Sequence, residues 1–159
     1  MSAAAWVADV DEAEAVARLM SEFRSGHYGR DWPSDNSILA SVERLIETTD
    51  TEFLLGSPHA DAPPAGVAQL RFRHSLWMAA PDCWLEDLYV TPAARRAGLG
   101  RALVDLTLER ARERGARRDE LDVTEDNEAA LELYRAAGFD EFPKSEPPVH
   151  DVFISIRLD

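Results

Sequence analysis

Two glycines and three arginines lie close together in the run Arg95-Arg96-Ala97-Gly98-Leu99-Gly100-Arg101. The strand-like segment Leu85–Val90 precedes this run, and a helical pattern of apolar residues begins at Leu99. A strand-to-helix turn leaves the first N–H groups of the helix unpaired, and these groups bind anions together with the helix dipole. Glycine lets an anion approach the backbone, and arginine supplies the countercharge. The run therefore predicts a phosphate or diphosphate site.

This run differs from two other phosphate-binding loops. No Gly-Lys-Ser/Thr follows it, as a Walker loop requires. The third glycine of a dinucleotide-binding fingerprint is also missing, and an arginine opens the run. From these residues alone, an ordinary strand-to-helix turn with surface arginines remains open as the plainer interpretation.

Charge and composition narrow the class of protein. The net charge of −13 disfavours nucleic acid or an anionic membrane as partner, although residues 95–118 carry eight arginines and only three acidic residues. Cys83 is the one cysteine, which favours a reducing compartment. No apolar stretch approaches the roughly 20 residues of a membrane span, and the first residues show no export signal. We therefore expect a cytoplasmic protein with a single domain over residues 1–159.

Hydrophobic periodicity predicts the elements that position the site. In the first half of the chain, a strand near Trp6 precedes a helix opened by a capping box at Asp11–Glu14, and a second helix starts near Ser34–Ser37. Three strands are expected at Phe53–Leu55, Val67–Arg73 and Cys83–Val90.

The second half alternates helices with strands. We expect a helix over Leu99–Arg114 closed by Gly115, a strand at Leu121–Val123, and a helix over Asn127–Ala137. Two strands should follow, the last of them at Val152–Ile156. Strands mixed with crossover helices predict an α/β fold around one sheet.

Two motifs together resemble those of a known family. The run from Leu85 to Pro92, followed by Arg95-x-x-Gly98-x-Gly100, resembles the central motif of the GNAT superfamily of N-acetyltransferases. Val123–Phe139 is similar to the motif that follows it there, while Arg96 departs from a position where many members have glycine. The Leu85-Glu86-Asp87 run particularly resembles the polyamine and diamine acetyltransferase branch. The resemblance implies a single-domain acyl-CoA N-acyltransferase-like fold, with a mixed central sheet of about six to seven strands and helices on both faces.

The same resemblance implies where acetyl-CoA binds. The backbone of Leu88 and Val90 would pair with the pantetheine arm, in a slot where their strand splays from Leu121–Val123. The amides of Arg96 to Arg101 would hold the pyrophosphate, and the start of the last helix would line the far wall. The residues expected to bind the cofactor are Leu88, Tyr89, Val90, Arg95, Arg96, Ala97, Gly98, Leu99, Gly100, Arg101, Asn127, Glu128, Ala129, Ala130 and Tyr134. Asn127 is also expected as a helix N-cap.

Amine acylation requires a base and an acid. An alkylammonium of pKa about 10.4 is only about one part in a thousand neutral at pH 7, and only the neutral amine attacks a thioester. Glu86 is the candidate base, directly or through water, since a carboxylate on a mostly apolar strand face is costly unless that face opens into a cleft. An edge or solvent-facing residue remains the alternative for Glu86. The resemblance implies that Tyr134 protonates the departing thiolate. Without the resemblance, Tyr134 would be an aromatic residue packing the last helix on the sheet.

The acceptor pocket is expected from residues 22–37 and the final strands. Its candidate residues are Glu86, Asp87, Tyr28 and Trp32. In a regular strand Asp87 points away from Glu86, although a β-bulge could turn both carboxylates toward the substrate.

The expected function is transfer of an acetyl group from acetyl-CoA to a primary amine of a small molecule, by direct attack in a ternary complex. A protein N-terminal or lysine acetyltransferase and a non-catalytic CoA-binding regulatory module remain alternatives. No metal is expected, because the four histidines and Cys83 show no metal-ligand spacing. The family resemblance also makes a homodimer possible.

Overall fold

Residues 2–141 and 152–159 are described in the computed structural model of this chain. The strands in these ranges are β1 (Ala4–Val7), β2 (Thr51–Ser57), β3 (Gly66–Ser75), β4 (Ala80–Val90) and β5 (Arg118–Glu120). The helices are α1 (Ala13–His27), α2 (Asp35–Ile46), α3 (Leu99–Glu113) and α4 (Glu128–Ala136). Two short 3₁₀ turns, at Val10–Glu12 and Pro92–Ala94, lead toward α1 and α3.

The strands form one mixed sheet in the order β1-β2-β3-β4-β5. Neighbours from β1 to β4 are antiparallel, whereas β5 runs parallel to β4. A parallel pair needs a crossover, which α3 provides here. The predicted α/β class and mixed sheet are therefore confirmed.

The predicted number of strands, about six to seven, is wrong for the described residues, which form five. Val152–Ile156 was expected as the last strand, yet it pairs with no other strand there, and Phe153 is 89% exposed. β-Branched and aromatic residues suit a strand, but a strand forms only where a neighbour accepts and donates its backbone hydrogen bonds. The further strand expected between α4 and Val152 falls mainly on residues 142–151, outside the described residues.

Helices cover both faces of the sheet, and each face has its own apolar core. One core joins α1 and α2 to side chains such as Phe53 and Tyr89. The other joins α3 to side chains such as Leu54 and Leu85. Because neighbouring residues of a strand face opposite ways, β2 and β3 are buried almost continuously.

Two paired glycines bring the start of α3 close to the sheet. A Cβ atom on Gly56 would lie 2.5 Å from Leu99 Cδ1, and one on Gly66 would lie 3.0 Å from Leu103 Cδ1. A side chain at Gly56 would therefore push α3 outward. The first turns of α3, which carry the predicted anion site, are thus fixed against β2 and β3.

The N-terminal caps follow the expected chemistry with one correction. The capping box lies at Asp9–Glu12, not at Asp11–Glu14, because Glu12 Oε1 accepts from Asp9 N at 3.3 Å and Asp9 Oδ1 accepts from Asp11 N at 2.9 Å. The predicted start of α2 is confirmed, since Ser34 Oγ accepts from Ser37 N at 3.2 Å.

Candidate cofactor and acceptor site

The loop before α3 contains two left-handed residues, Arg96 with φ 64° and Gly98 with φ 79°. Gly98 is the N-cap of α3, and no side chain caps this end of the helix. The first N–H groups of α3 are therefore available to an anion, which the helix dipole also favours. Arg96 stands where the GNAT motif often has glycine, and its left-handed backbone costs roughly 1–2 kcal/mol relative to glycine.

The two glycines of the motif have different surroundings. A Cβ atom on Gly98 would meet no atom within 4 Å, so the space beside this residue is open. A Cβ atom on Gly100 would lie 3.3 Å from Leu133 Cδ2, on α4. Gly98 therefore leaves room for a ligand, whereas Gly100 lets α4 pack closely on α3.

The predicted cofactor arginines differ in their partners. Arg95 Nε donates to the Val90 carbonyl at 3.0 Å, which fixes its side chain beside β4. Arg101 forms an exposed ion pair with Asp105 at 2.9 Å, one helical turn further along α3. Within residues 2–141 and 152–159, neither Arg95 nor Arg96 forms an ion pair with a carboxylate. Their positive charges are available at the open end of α3.

Leu99 anchors the loop by its burial, whereas Ala97 is exposed. Ala97 lies between the two left-handed residues, and Leu99 is buried under the first turn of α3, with only 1% of its surface exposed. The predicted helix start at Leu99 is confirmed.

β4 and β5 separate early, which opens an edge of β4. They pair only at Asp82–Trp84 with Arg118–Glu120, so β5 precedes the predicted Leu121–Val123. The pairing is fixed there because Arg118 binds the buried Asp82 at 2.6 Å. Beyond this point β4 continues to Val90 without a β5 partner.

The backbone of Leu88 and Val90 is directed toward this open edge. Thr91 N donates to Ala65 O at 2.8 Å, on the β3 side of the chain. Successive residues of a strand direct their polar backbone groups to opposite edges. Val90, and Leu88 two residues before it, therefore present theirs to the edge that β5 leaves free, as the predicted pantetheine slot requires.

A β-bulge at Glu86 changes which carboxylate faces the helices. Leu70 pairs with Leu85 and Gln69 with Asp87, so Glu86 is the extra residue of β4. After the bulge, Asp87 and Tyr89 lie on the face that α1 and α2 cover. Tyr89, predicted beside the cofactor, stacks on Phe23 of α1 at 5.2 Å between ring centroids.

Asp87 lies in a cavity of about 310 Å³ between the sheet and the two N-terminal helices. Tyr28 lines the same cavity, as do the polar side chains of Gln69 and Arg30. Burial raises the pKa of Asp87 to about 6, and the adjacent charge of Glu86 adds to the shift. A carboxyl group of this pKa binds a cationic amine and also accepts a proton near neutral pH.

Two predicted acceptor residues do not line this cavity. Glu86 forms an ion pair with Arg71 at 3.1 Å, and both side chains are 36% exposed. Trp32 is 60% exposed, and its ring lies 5.2 Å from the Arg157 guanidinium carbon. Of the four predicted acceptor residues, the structure brings together Asp87 and Tyr28.

The start of α4 follows the predicted pattern. Asn127 is the N-cap, with its Oδ1 accepting from Ala130 N at 3.2 Å. Glu128 and Ala129 are exposed in the first turn. The predicted N-cap is confirmed, and the predicted contact of these residues with the cofactor stays a prediction.

Tyr134 lies on α4 against the apolar core beneath α3, with its ring edge-on to Phe139 at 5.7 Å. Burial raises the pKa of Tyr134 to about 12, and the charge of Asp119 adds to the shift. Its hydroxyl therefore stays protonated at neutral pH and can donate a hydrogen bond. The same apolar environment raises the pKa of the Cys83 thiol, mainly through burial. A leaving thiolate in these surroundings would likewise be a stronger base than in water, which favours its protonation.

The sequence analysis missed four polar residues of the cavity, which are Arg24, Arg30, Ser41 and Gln69. Arg24 and Arg30 fall within the segment expected to supply the acceptor pocket, but no spacing pattern distinguishes them from surface arginines. Gln69 lies on the opposite face of β3 from the apolar residues 68, 70 and 72. Its position opposite Asp87 depends on the register of β3 with β4.

Two general features complete the description of the site. Within the described ranges, no group of three or more histidine, cysteine, aspartate or glutamate side chains is placed to hold a metal ion. The helices described here include none that is both long and apolar enough to cross a membrane.

Fold and site together define an acyl-CoA N-acyltransferase-like domain, with an open α3 N-terminus beside a splayed strand. Residues 14–139 match the model of the Acetyltransferase (GNAT) family, and the chain belongs to this family.

Individual relatives show the same likeness. The chain is 36% identical over 112 residues to a thialysine N-epsilon-acetyltransferase of Caenorhabditis elegans, covering 70% of this chain and 69% of the relative. It is 43% identical over 96 residues to a mycothiol acetyltransferase of Beutenbergia cavernae, covering 58% of this chain but only 30% of that relative. An aminoglycoside N-acetyltransferase solved in complex with CoA shares the fold, with a TM-score of 0.77, 20% identity and coverage of 98% of this chain and 95% of the other.

Proposed function

We propose that this chain transfers the acetyl group of acetyl-CoA to a primary amine of a small molecule, by direct attack while both substrates are bound. One observation carries the proposal: consecutive residues of β4 face two different spaces. Asp87 lines the cavity beneath α1 and α2, and Leu88 presents its backbone to the open edge of β4. A single strand thus holds an amine and a pantetheine arm next to each other.

The N-terminus of α3 fits the diphosphate of CoA. Its uncapped amides supply hydrogen-bond donors, Gly98 leaves open space, and Arg95 and Arg96 supply positive charge without competing carboxylates in the described residues. Bound acetyl-CoA supplies an activated thioester. The backbone of Leu88 and Val90 would orient its arm toward the cavity.

Asp87 is the carboxylate that the geometry favours for binding the amine and accepting its proton. It lines the cavity, and its pKa of about 6 leaves it mostly ionised at pH 7. Glu86, the base expected from the sequence, is turned to Arg71 by the bulge. We propose that Glu86 acts on Asp87 through its charge, because that charge raises the pKa of Asp87.

Tyr134 is the proposed proton donor to the departing thiolate. Tyr134 is partly buried and packs against the same apolar core, on the α3 side of the sheet, as Leu88 and Val90 of the predicted slot. The names of the relatives support the class of reaction, since the two curated ones are acetyltransferases.

Purified protein, acetyl-CoA and a panel of primary amines test this proposal by detection of the released thiol. The panel contains alkylamines, diamines, amino acids and an aminoglycoside, with a lysine peptide and a peptide bearing a free N-terminus as protein-like acceptors. We expect amine-dependent thiol release with at least one small amine and a matching acetylated product by mass spectrometry. Release with the peptides alone, or CoA binding without turnover of any amine, would contradict the proposal.

A further inference from the structure

The cavity beneath α1 and α2 carries opposite charges on different walls. Asp87 belongs to the sheet, whereas Arg30 belongs to the segment between α1 and α2. The Arg30 guanidinium carbon lies 5.2 Å from the centre of the Tyr28 ring, and Tyr28 lines the same cavity. Arg30 forms no ion pair with any carboxylate of the described residues.

Arg24 also lines this cavity, but its charge is already paired. It binds Asp35 at 2.8 Å and also donates to the carbonyl of Pro33, so it joins α1 to the start of α2. Its side chain is only 12% exposed. Arg30 is therefore the cation that the described part of the cavity offers to a ligand, as Asp87 is its carboxylate.

Apolar side chains form most of the lining of the cavity between these two charges. Its volume is about 310 Å³. The apolar side chains that line it are those of Met20, Phe23, Ile38, Val42, Leu45 and Phe53. Such a lining suits a short hydrocarbon chain.

We propose that the acceptor is a small amino acid in which a short hydrocarbon chain separates the reacting amine from a carboxylate. The amine faces Asp87, the hydrocarbon chain occupies the apolar middle, and the carboxylate pairs with Arg30. This inference rests on the proposed function and narrows its substrate. It also opposes the diamine preference that the Leu85-Glu86-Asp87 run suggests, since a second ammonium would lie beside the positive charge of Arg30.

Three acceptors of equal chain length test the inference, namely hexylamine, 6-aminohexanoate and 1,6-diaminohexane. With wild-type protein and saturating acetyl-CoA, we expect kcat/KM for 6-aminohexanoate to exceed that of each other acceptor at least about tenfold. Arg30→Gln should remove this advantage, by lowering kcat/KM for 6-aminohexanoate at least about tenfold more than kcat/KM for hexylamine. Arg44→Gln, which changes an exposed arginine of α2 outside the cavity, should keep it.

The outcomes separate this inference from the proposed function. Equal kcat/KM for the three acceptors, or a preference for the diamine, would overturn the inference and leave amine acetylation intact. An Arg30→Gln loss that is the same for all three would also overturn it, because it would indicate altered packing rather than lost charge recognition. Absence of thiol release with every amine would overturn both.

Discussion

The two faces of the sheet bind their proposed ligands in different ways. On the α3 side, the proposed diphosphate site consists of backbone amides around Gly98, with arginines nearby. On the α1 and α2 side, the acceptor cavity consists of side chains, and its charged groups are Asp87, Arg24 and Arg30. Backbone amides bind an anion whatever side chains surround them, whereas a cavity of side chains changes its ligand with each substitution. One fold can therefore bind the same acetyl donor in different proteins while the acceptor differs between them.

Side chains of β4 lie on both faces of the sheet, and the bulge determines which residues lie on which face. Before the bulge Leu85 packs against α3, and after it Leu88 lies on the same side while Asp87 faces the cavity. If β4 continued regularly through Glu86, Asp87 would lie on the α3 side with Leu85, since a shift of one residue inverts every side chain that follows. The bulge thus lets one strand present its backbone to the donor and a carboxylate to the acceptor.

The largest effect is expected from Tyr134→Phe, which keeps the ring that packs against Phe139 and removes the hydroxyl. If this hydroxyl donates the proton to the thiolate, kcat should fall about 10²–10⁴-fold with little change in acetyl-CoA affinity. Steady-state kinetics and thermal unfolding on the same preparation check this. Near-normal kcat where chemistry limits the rate, or a lowered Tm as the main effect, would identify Tyr134 as a packing residue.

A smaller effect is expected when the two adjacent carboxylates are compared. Asp87→Asn should lower kcat/KM for the acceptor about 10²-fold, and Glu86→Gln by about tenfold or less, because Asp87 alone lines the cavity. A larger loss for Glu86→Gln than for Asp87→Asn would show that Glu86 reaches the amine. The bulge would then not determine which carboxylate acts as the base.

The same carboxylate predicts a pH dependence. Since the pKa of Asp87 is raised to about 6, kcat/KM for the acceptor should fall about tenfold per pH unit below that value in wild type and level off above it. Asp87→Asn should lack this change of slope, because its kcat/KM would follow the fraction of neutral amine, which keeps rising up to the pKa of the amine at about 10.4. The stability of the folded protein should change with pH in the opposite direction from activity. The cost of ionising a buried carboxylate is absent below the ordinary pKa of 3.8 and complete above about 6, so Asp87→Asn should unfold at higher temperature than wild type at pH 8. A Tm difference that is the same at pH 4 and pH 8 would argue against this origin.

The smallest catalytic effect is expected at the far end of α3. Glu52 of β2, with 9% of its side chain exposed, binds Arg110 at 2.7 Å and Arg114 at 2.9 Å. Burial opposes its ionisation, but hydrogen bonds from both arginines outweigh burial and hold the pKa of Glu52 below its ordinary value. At pH values above the ordinary glutamate pKa, Glu52→Gln should lower the free energy of unfolding by about 1–3 kcal/mol. This difference from wild type should shrink as the pH falls through the lower pKa that Glu52 has in the folded state.

Urea unfolding measures this loss, with Glu22→Gln as the matched control. Glu22 pairs with Arg18 at 3.2 Å on the surface of α1, so its substitution should cost less than about 0.5 kcal/mol. Acetyl-CoA affinity should not change in Glu52→Gln, since the pair lies at the end of α3 away from Gly98. A weakened affinity would mean that the diphosphate site depends on the whole helix.

The two faces also differ in how far the sequence predicts them. Helix α3 starts at Leu99 and Asn127 caps α4, as predicted, because apolar spacing and capping chemistry are local properties. The orientation of Glu86 was not predictable, since it depends on a register shift against Gln69 and Leu70 of β3.

Longer-range packing limits the prediction in two further places. Arg30 reaches the cavity only through the packing of α1 and α2 on the sheet, which no spacing within residues 22–37 indicates. Val152–Ile156 has the β-branched and aromatic residues typical of a strand, but whether it forms one depends on a neighbouring strand that its own residues do not specify.

Calorimetric titration of CoA into two glycine variants tests the central claim most directly. Gly98 and Gly115 have φ of 79° and 76°, a Cβ atom on either would meet no atom within 4 Å, and they flank opposite ends of α3. Valine therefore strains both backbones equally, but only at Gly98 does it occupy the proposed diphosphate space. The account predicts that Gly98→Val weakens CoA binding at least about tenfold, or about 1.4 kcal/mol, while Gly115→Val stays within about threefold of wild type. Unchanged CoA affinity in Gly98→Val, or an equal loss in both variants, would contradict it.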